Sequence, residues 1–230
     1  MGGTGETRAG APWWPELSLL AAFGVLTAAL AAGALLDLDV AVRDWCDTHQ
    51  PHAAHLLART LVPLGSSNVL ILVALAVALA TALRTRSGWP VLPVALAWVA
   101  GNALLVPLKM LGDRAAPHSP APDPELLFHY PPGWSYPSGH AANSVYLFGL
   151  LVRLLRWRAP AVVRVVPPVL VGATFSYLGY HWLTDIVAGL LLGGLLGLVL
   201  RRIPDRPVQR ATGRPGDRYA SPSSVTTPDS

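Results

Sequence analysis

Two histidines, one aspartate and one lysine stand where an apolar chain has least reason to carry them. Lys109 closes an apolar run and is the only lysine beside sixteen arginines. His140 opens another such run, and His181 with Asp185 opens a third. Ionisable groups are costly in hydrocarbon, so each is a candidate for function. His181 and Asp185 are four residues apart, which on a helix puts them on one face, where the carboxylate accepts a hydrogen bond from one ring nitrogen. That bond sets the tautomer and leaves the other nitrogen free as nucleophile or base. In "YPSGHAAN", Tyr136–Asn143, the residues Ser138, Gly139 and His140 follow Pro137 at a loop-to-helix junction. Unpaired N–H groups and the positive dipole end of a helix favour an anion such as phosphate there. Lys109 adds a full positive charge. These are the parts for phosphoryl transfer, with no metal or other cofactor required.

The elements that must hold these groups are membrane helices. Of 230 residues, 52% are hydrophobic and 13% charged, with mean hydropathy +0.44, far from the balance of a soluble domain. Six stretches approach or reach the ~20 apolar residues that cross a bilayer: Leu17–Leu36, Asn68–Leu83, Trp89–Leu108, Gly139–Leu155, Ala161–Tyr180 and Trp182–Leu200. The expected fold is therefore all-α, an integral membrane bundle of six transmembrane helices. The first run exceeds the apolar core of a signal peptide and is flanked by Arg8 against Glu6 and Glu16, so it is expected as an uncleaved helix.

An even number of spans puts both termini on one side. That side then holds Arg8, Arg84, Arg86, Arg153, Arg156, Arg158, Arg164 and the six arginines from Arg201 to Arg218. Arg43, Arg59, Lys109 and Arg114 fall on the other. Positive charge collects in the cytoplasm, so the termini are expected there. The candidate site then lies at the extracytoplasmic face of the plasma membrane. Inner-face arginines opposite anionic lipid also account for the net charge of +4 and pI of about 9.6 without a nucleic-acid partner.

Three domains of character follow: a cytoplasmic segment 1–16, a membrane domain 17–202, and a Pro-, Ser- and Arg-rich tail 203–230 with almost nothing to bury, expected to be disordered. Two outer segments join the spans. Asp37–Ser67 carries "HAAHLLARTL", readable as an amphipathic interfacial helix. Gly112–Pro137 is too rich in proline for a long helix; its Phe128, Tyr130, Trp134 and Tyr136 are either a lid or interfacial anchors. Tyr180 and Trp182, beside His181, read as an aromatic belt or as walls of a headgroup pocket. Gly189, Gly193 and Gly197, at four-residue spacing, read as a close-packing stripe within the bundle. Pro167 and Pro168 are expected to kink the fifth span. Cys46 has no partner for an intramolecular disulfide. No carboxylate or cysteine completes a metal site from His49, His52 and His55.

At these residues the chain resembles the type 2 phosphatidic acid phosphatase superfamily, the membrane lipid phosphate phosphatases whose site is shared with vanadium haloperoxidases. That family's pattern runs Lys, six residues, Arg-Pro; then Pro-Ser-Gly-His; then Ser-Arg, five residues, His, three residues, Asp. Lys109, Pro137–His140 and "YLGYHWLTDIVAG" through His181 and Asp185 keep the order over roughly Leu17–Leu200. The resemblance implies a phosphatase acting on a lipid or polyprenyl phosphate or diphosphate. His181 would form a phosphohistidine, Asp185 would orient it, and His140 would protonate the leaving oxygen and then activate water. Lys109, Ser138 and the Gly139 N–H would bind the phosphoryl oxygens.

Two positions depart from the pattern: Ala116 and Phe175 stand where the family carries arginine. One oxyanion donor is worth about 100- to 1000-fold. Arg114, two residues before the first vacancy, is the nearby candidate to replace it as a phosphate ligand. The vacancies leave open a phosphotransferase, an enzyme for a less highly charged phosphoester, and a non-catalytic lipid-binding protein. A transporter fits less well, because the polar groups share one face instead of the midplane.

Overall fold

The computed structural model describes residues 12–156 and 160–203. The first eleven residues, Arg158 and all but the first residue of the tail lie outside them. The described residues form eight α-helices and no strand: α1 Trp14–Ala31, α2 Leu36–Thr48, α3 His52–Gly65, α4 Ser67–Thr85, α5 Val91–Gly112, α6 Gly139–Leu154, α7 Ala161–Tyr177 and α8 Leu183–Arg201.

All six apolar runs are helical. Four of the helices, α1, α4, α5 and α8, are long and apolar enough to cross a membrane. α6 and α7 have 16 and 17 residues, about 24 and 26 Å of rise. Leu17, Val25, Leu72, Leu83, Val165 and Leu170 all turn outward and are more than half exposed, an apolar surface that water would not tolerate over this area.

The first span stops earlier than expected. The chain turns over residues 32–35, with Gly33 at φ +80°, a conformation that glycine adopts without cost. It then continues as α2, a helix within the segment expected as an outer loop. α3 covers the stretch read as an interfacial helix. Pro167 and Pro168 lie within α7, which runs on as one helix from Ala161 to Tyr177.

The glycine stripe of α8 determines where the site forms. A Cβ at Gly193 would lie 2.9 Å from Ala142 Cα and from Val145 Cβ, one at Gly189 3.0 Å from Ala141 Cβ, and one at Gly197 3.7 Å from Tyr146 Cα. The stripe thus lets α6 lie directly on α8. Leu147, Leu150, Leu196 and Leu200 continue this seam into a core shared with Leu70, Ala74 and Ala78 of α4 and Val94 and Ala97 of α5. Tyr146 donates to Asn143 Oδ1 one turn back on α6 at 2.6 Å, and Asn143 donates across to Ser67 at the start of α4. Gly193→Leu, whose side chain must displace α6 backbone, is expected to cost about 1–3 kcal/mol or more. Gly24, where a Cβ meets nothing within 4 Å, should accept leucine with no loss. Thermal unfolding of both variants in detergent checks the contrast.

α6 and α8 run parallel, so their N-terminal ends lie together at one end of the bundle and their C-terminal ends at the other, and the two ends carry different chemistry. At one end, Arg153 donates to the carbonyls of Leu200 and Ile203, and Arg202 pairs with Glu16 at 2.7 Å. At the other end, the last turn of α5 and the first turns of α6 and α8 bring Lys109, His140 and Asp185 together.

Candidate active site

Ser138 is the N-cap of α6, its hydroxyl accepting the Ala141 N–H at 3.3 Å. Its backbone N–H donates to the Asp185 carbonyl at 2.9 Å, which locks the start of α6 to the first turn of α8. The Ser138 side chain is completely buried, so the structure gives it a capping contact where the sequence suggested a phosphate contact. Gly139 and His140 follow at N1 and N2, and their N–H groups have no protein acceptor among the described residues. That leaves an anion-accepting helix end. Lys109 meets this end directly: a Cβ at Gly139 would lie 3.5 Å from Lys109 Cε, and Nζ donates to the Trp134 carbonyl at 2.5 Å.

The imidazoles face each other, with His140 Nδ1 3.4 Å from His181 Nε2. His181 Nδ1 points the other way, 3.5 Å from Asp185 Oδ2. Ser135 bridges that gap, its Oγ lying 3.3 Å from His181 Nδ1 and donating to Asp185 Oδ2 at 2.5 Å. A serine hydroxyl that donates to the carboxylate has a lone pair for the Nδ1–H. The arrangement therefore favours the tautomer with a free electron pair on Nε2, the nitrogen beside His140. Asp185 Oδ2 also accepts the Trp182 N–H at 3.0 Å, so the carboxylate sits at the positive end of α8.

No feature of spacing marked Ser135, which comes from the proline-rich loop. Ser135→Ala removes a hydrogen bond to an ion and is expected to lower kcat about 10-fold with KM unchanged, a split that steady-state assay of the purified variant measures.

A pocket of about 450 Å³ opens over His181, lined by Ala116, Tyr130, Trp134, Ser135 and Tyr180 among others. Tyr130, Trp134 and Tyr180 are therefore walls of this pocket. Trp182 is not part of an interfacial belt: it is 1% exposed, and its Nε1–H donates to the Ala115 carbonyl at 2.9 Å. Tyr136 is buried too, paired with Thr27 of α1 at 2.6 Å, and burial pushes its phenol up from the ordinary value, so it stays neutral. A second cavity of about 470 Å³, lined by Arg153, Arg156, Arg164 and Arg201, lies at the opposite end and holds none of these groups.

The two vacant arginine positions have different surroundings. Ala116 lines the pocket. Phe175 is buried and stacks on His140, centroids 4.1 Å apart. Arg114 does not take the place of either missing arginine. Its side chain is fully buried and bonded at 2.6 Å to Asp39 and 2.7 Å to Asp185. It approaches Asp185 through Oδ1, whereas the histidine side is reached through Oδ2. Asp113 turns the chain at φ 37°, and the backbone of Arg114 bridges to Trp134 and accepts the Ser135 N–H, which faces the side chain toward Asp39 and Asp185. The guanidinium is thereby committed to protein acceptors instead of a ligand.

The sequence pattern of the PAP2 superfamily matches residues 90–208, which hold every group described above except Asp39 and Thr27. The chain belongs to the PAP2 superfamily. Its helices follow the crystal structure of a transmembrane PAP2-type phosphatidylglycerolphosphate phosphatase from Bacillus subtilis, with a TM-score of 0.70 over 82% of this chain and 95% of that one, at 24% identity. At that identity the likeness is one of fold. A 75-residue stretch is 36% identical to an undecaprenyl-diphosphatase of Sulfolobus acidocaldarius, covering 32% of this chain. The match spans 35% of that relative's length.

Proposed function

We propose that this PAP2 protein is a six-span membrane phosphatase that removes a terminal phosphate from a lipid or polyprenyl phosphate or diphosphate. The observation that carries the reading is the pair of facing imidazoles: His181 Nε2 at 3.4 Å from His140 Nδ1, with Ser135 and Asp185 behind His181. A phosphorus bound beside Nε2 is attacked by its lone pair as the bond to the leaving oxygen breaks, and His140 supplies the proton that oxygen takes. Water then attacks the phosphohistidine, giving its proton back to His140 and releasing phosphate. Lys109 and the Gly139 N–H stabilise the charge on the phosphoryl oxygens. None of these steps calls on a metal.

The supports for lipid substrates are the apolar outer surface and the two similar proteins, an undecaprenyl-diphosphatase and a phosphatidylglycerolphosphate phosphatase. We place the catalytic unit in residues 17–202, both termini in the cytoplasm and the pocket at the extracytoplasmic face of the plasma membrane, on the distribution of arginines. Purified protein in detergent is expected to release phosphate from at least one of phosphatidate, phosphatidylglycerol phosphate and a polyprenyl diphosphate. No release from any of the three, beside an active family control, sinks the proposal.

Phe175 favours one variation. With Phe175 stacked on His140 and alanine at position 116, Lys109 is the basic side chain brought to the phosphoryl position among the described residues. A phosphoester of lower charge, or transfer of the phosphoryl group to an acceptor other than water, suits such a pocket better than a densely charged diphosphate. The same substrate panel, run with and without alcohol acceptors, ranks these.

A further inference from the structure

Asp39 lies on α2, a helix that gives nothing else to the site, yet its side chain is buried against the segment that carries His181. Its Oδ1 accepts the Thr184 N–H at 2.9 Å, taking up one of the orphan donors of α8's first turn. Its Oδ2 accepts the Thr184 hydroxyl at 2.5 Å and Arg114 Nη2 at 2.6 Å. Arg114 Nη1 donates to Thr184 Oγ1 at 2.8 Å and to Asp185 Oδ1 at 2.7 Å, and Nε donates to the Glu125 carbonyl at 2.7 Å. Among the described residues, the buried side-chain polar atom left without a partner is Glu16 Oε2, at the far end of the bundle. The whole network around Arg114 is therefore satisfied, the condition under which buried ionic groups hold a geometry instead of loosening it.

We infer that Asp39 and Arg114 are positioning residues for the proposed reaction: Asp39 holds the Arg114 fork so that it grips only Oδ1 of Asp185 and leaves Oδ2 for Ser135 and His181. The inference rests on the phosphatase reading given above. Its physical core is a competition for one guanidinium. An arginine facing a single carboxylate prefers two parallel bonds to both of its oxygens. Were Arg114 to do that with Asp185, Oδ2 would be drawn away from His181. Asp39 prevents it by taking Nη2, while Thr184 and Asp185 take Nη1. The contacts run without a break from Asp39 on α2 through Arg114 in the loop to Asp185 and the His181 ring.

Desolvating three charged groups to build this gives little net stability, because an apolar cluster of the same shape does as well. A fixed carboxylate orientation is what such a cluster does not provide. The groups facing Asp185 are His181 from its own segment, His140 beyond it on α6, Lys109 from α5, Arg114 and Tyr136 from the loop, and Asp39 from α2 across the guanidinium.

The test is steady-state kinetics on the full chain in detergent, using whichever of the three named lipid phosphates the wild type hydrolyses fastest. Asp39→Asn keeps the shape and an acceptor for Thr184 but releases its hold on Arg114. The expected result is a kcat lower by about 10- to 100-fold, with KM within about twofold of wild type and an unchanged elution profile and thermal midpoint. Arg114→Lys, whose single ammonium cannot reach four acceptors, should fall at least as far, again in kcat. If Arg114→Lys does not fold, Asp39→Asn decides alone; if that also fails, Thr184→Val, which removes only the shared hydroxyl, takes its place with the same expectation.

A wild-type kcat in Asp39→Asn overturns the inference. So does a rise in KM at constant kcat, which would make the network part of substrate binding. A loss of kcat matched by loss of folded protein in all three variants, Thr184→Val included, would make the network merely structural, and overturns the inference too. His181→Ala and wild type separate the two levels: if His181→Ala is inactive while Asp39→Asn is normal, only the positioning role is wrong; an active His181→Ala removes the His181 nucleophile and the positioning role with it; and no release by wild type from any of the three substrates removes the phosphatase reading itself.

Discussion

His181→Ala is expected to lower phosphate release by at least about 10⁴-fold, since loss of a nucleophile that works as one unit with its base removes nearly all of the chemistry. The geometry gives no other side chain this task. Ser135 is nearby, but its hydroxyl hydrogen is given to Asp185 and its lone pair faces His181 Nδ1. His140 has its Nδ1 toward His181 Nε2 and its ring face against Phe175, a position suited to proton transfer. The alanine variant should fold normally, because His181 precedes α8 and the helix start is held by Asp39 and Asp185. Activity within 100-fold of wild type would assign the nucleophile elsewhere.

Lys109→Met should cost about 100- to 1000-fold in kcat/KM, the loss of one charge-bearing donor to the phosphoryl oxygens. The bland alternative is a lysine that snorkels from a helix end, and such a lysine is replaced at little cost. Two observations oppose that alternative. The ammonium is bonded to the Trp134 carbonyl, on the pocket wall, and its last methylene abuts Gly139 at the open end of α6. A snorkelling side chain turns outward to water; this one turns in toward the histidines. Arginine at the same place would press its longer fork against Gly139 and Trp134, so Lys109→Arg should recover only part of the loss. Rates within about threefold of wild type for Lys109→Met would return the residue to the bland role.

The helices were legible because membrane segments announce themselves by length and apolarity. The constellation was legible because His181 and Asp185 stand four residues apart at the start of one apolar run and Pro137–His140 opens another; His181 itself lies just before α8 and meets Asp185 across the helix's first turn instead of along one helix face. Other parts had no such signal. α2 contains Asp37, Asp39, Asp44 and Asp47, and so many carboxylates read as an outer loop; what makes it a helix against the bundle includes the tertiary pairing of Asp39. Arg114 was legible as a cation near a vacancy, but the direction of its side chain depends on partners 71 and 75 positions away in the chain. Spacing along one segment carries no information about either. Ser138 reads as a phosphate ligand from its place before a helix, and its hydroxyl caps α6, because a loop-to-helix junction that suits an anion also needs an N-cap.

During turnover His181 Nε2 is expected to become covalently bonded to phosphorus. Wild-type protein should be mixed with a ³²P-labelled lipid phosphate, quenched in alkali within a turnover and mapped by mass spectrometry of its peptides. The expected result is an alkali-stable, acid-labile phosphoryl group on His181, absent from His181→Ala. Sustained turnover with no label on His181, or a label on another residue, would contradict it.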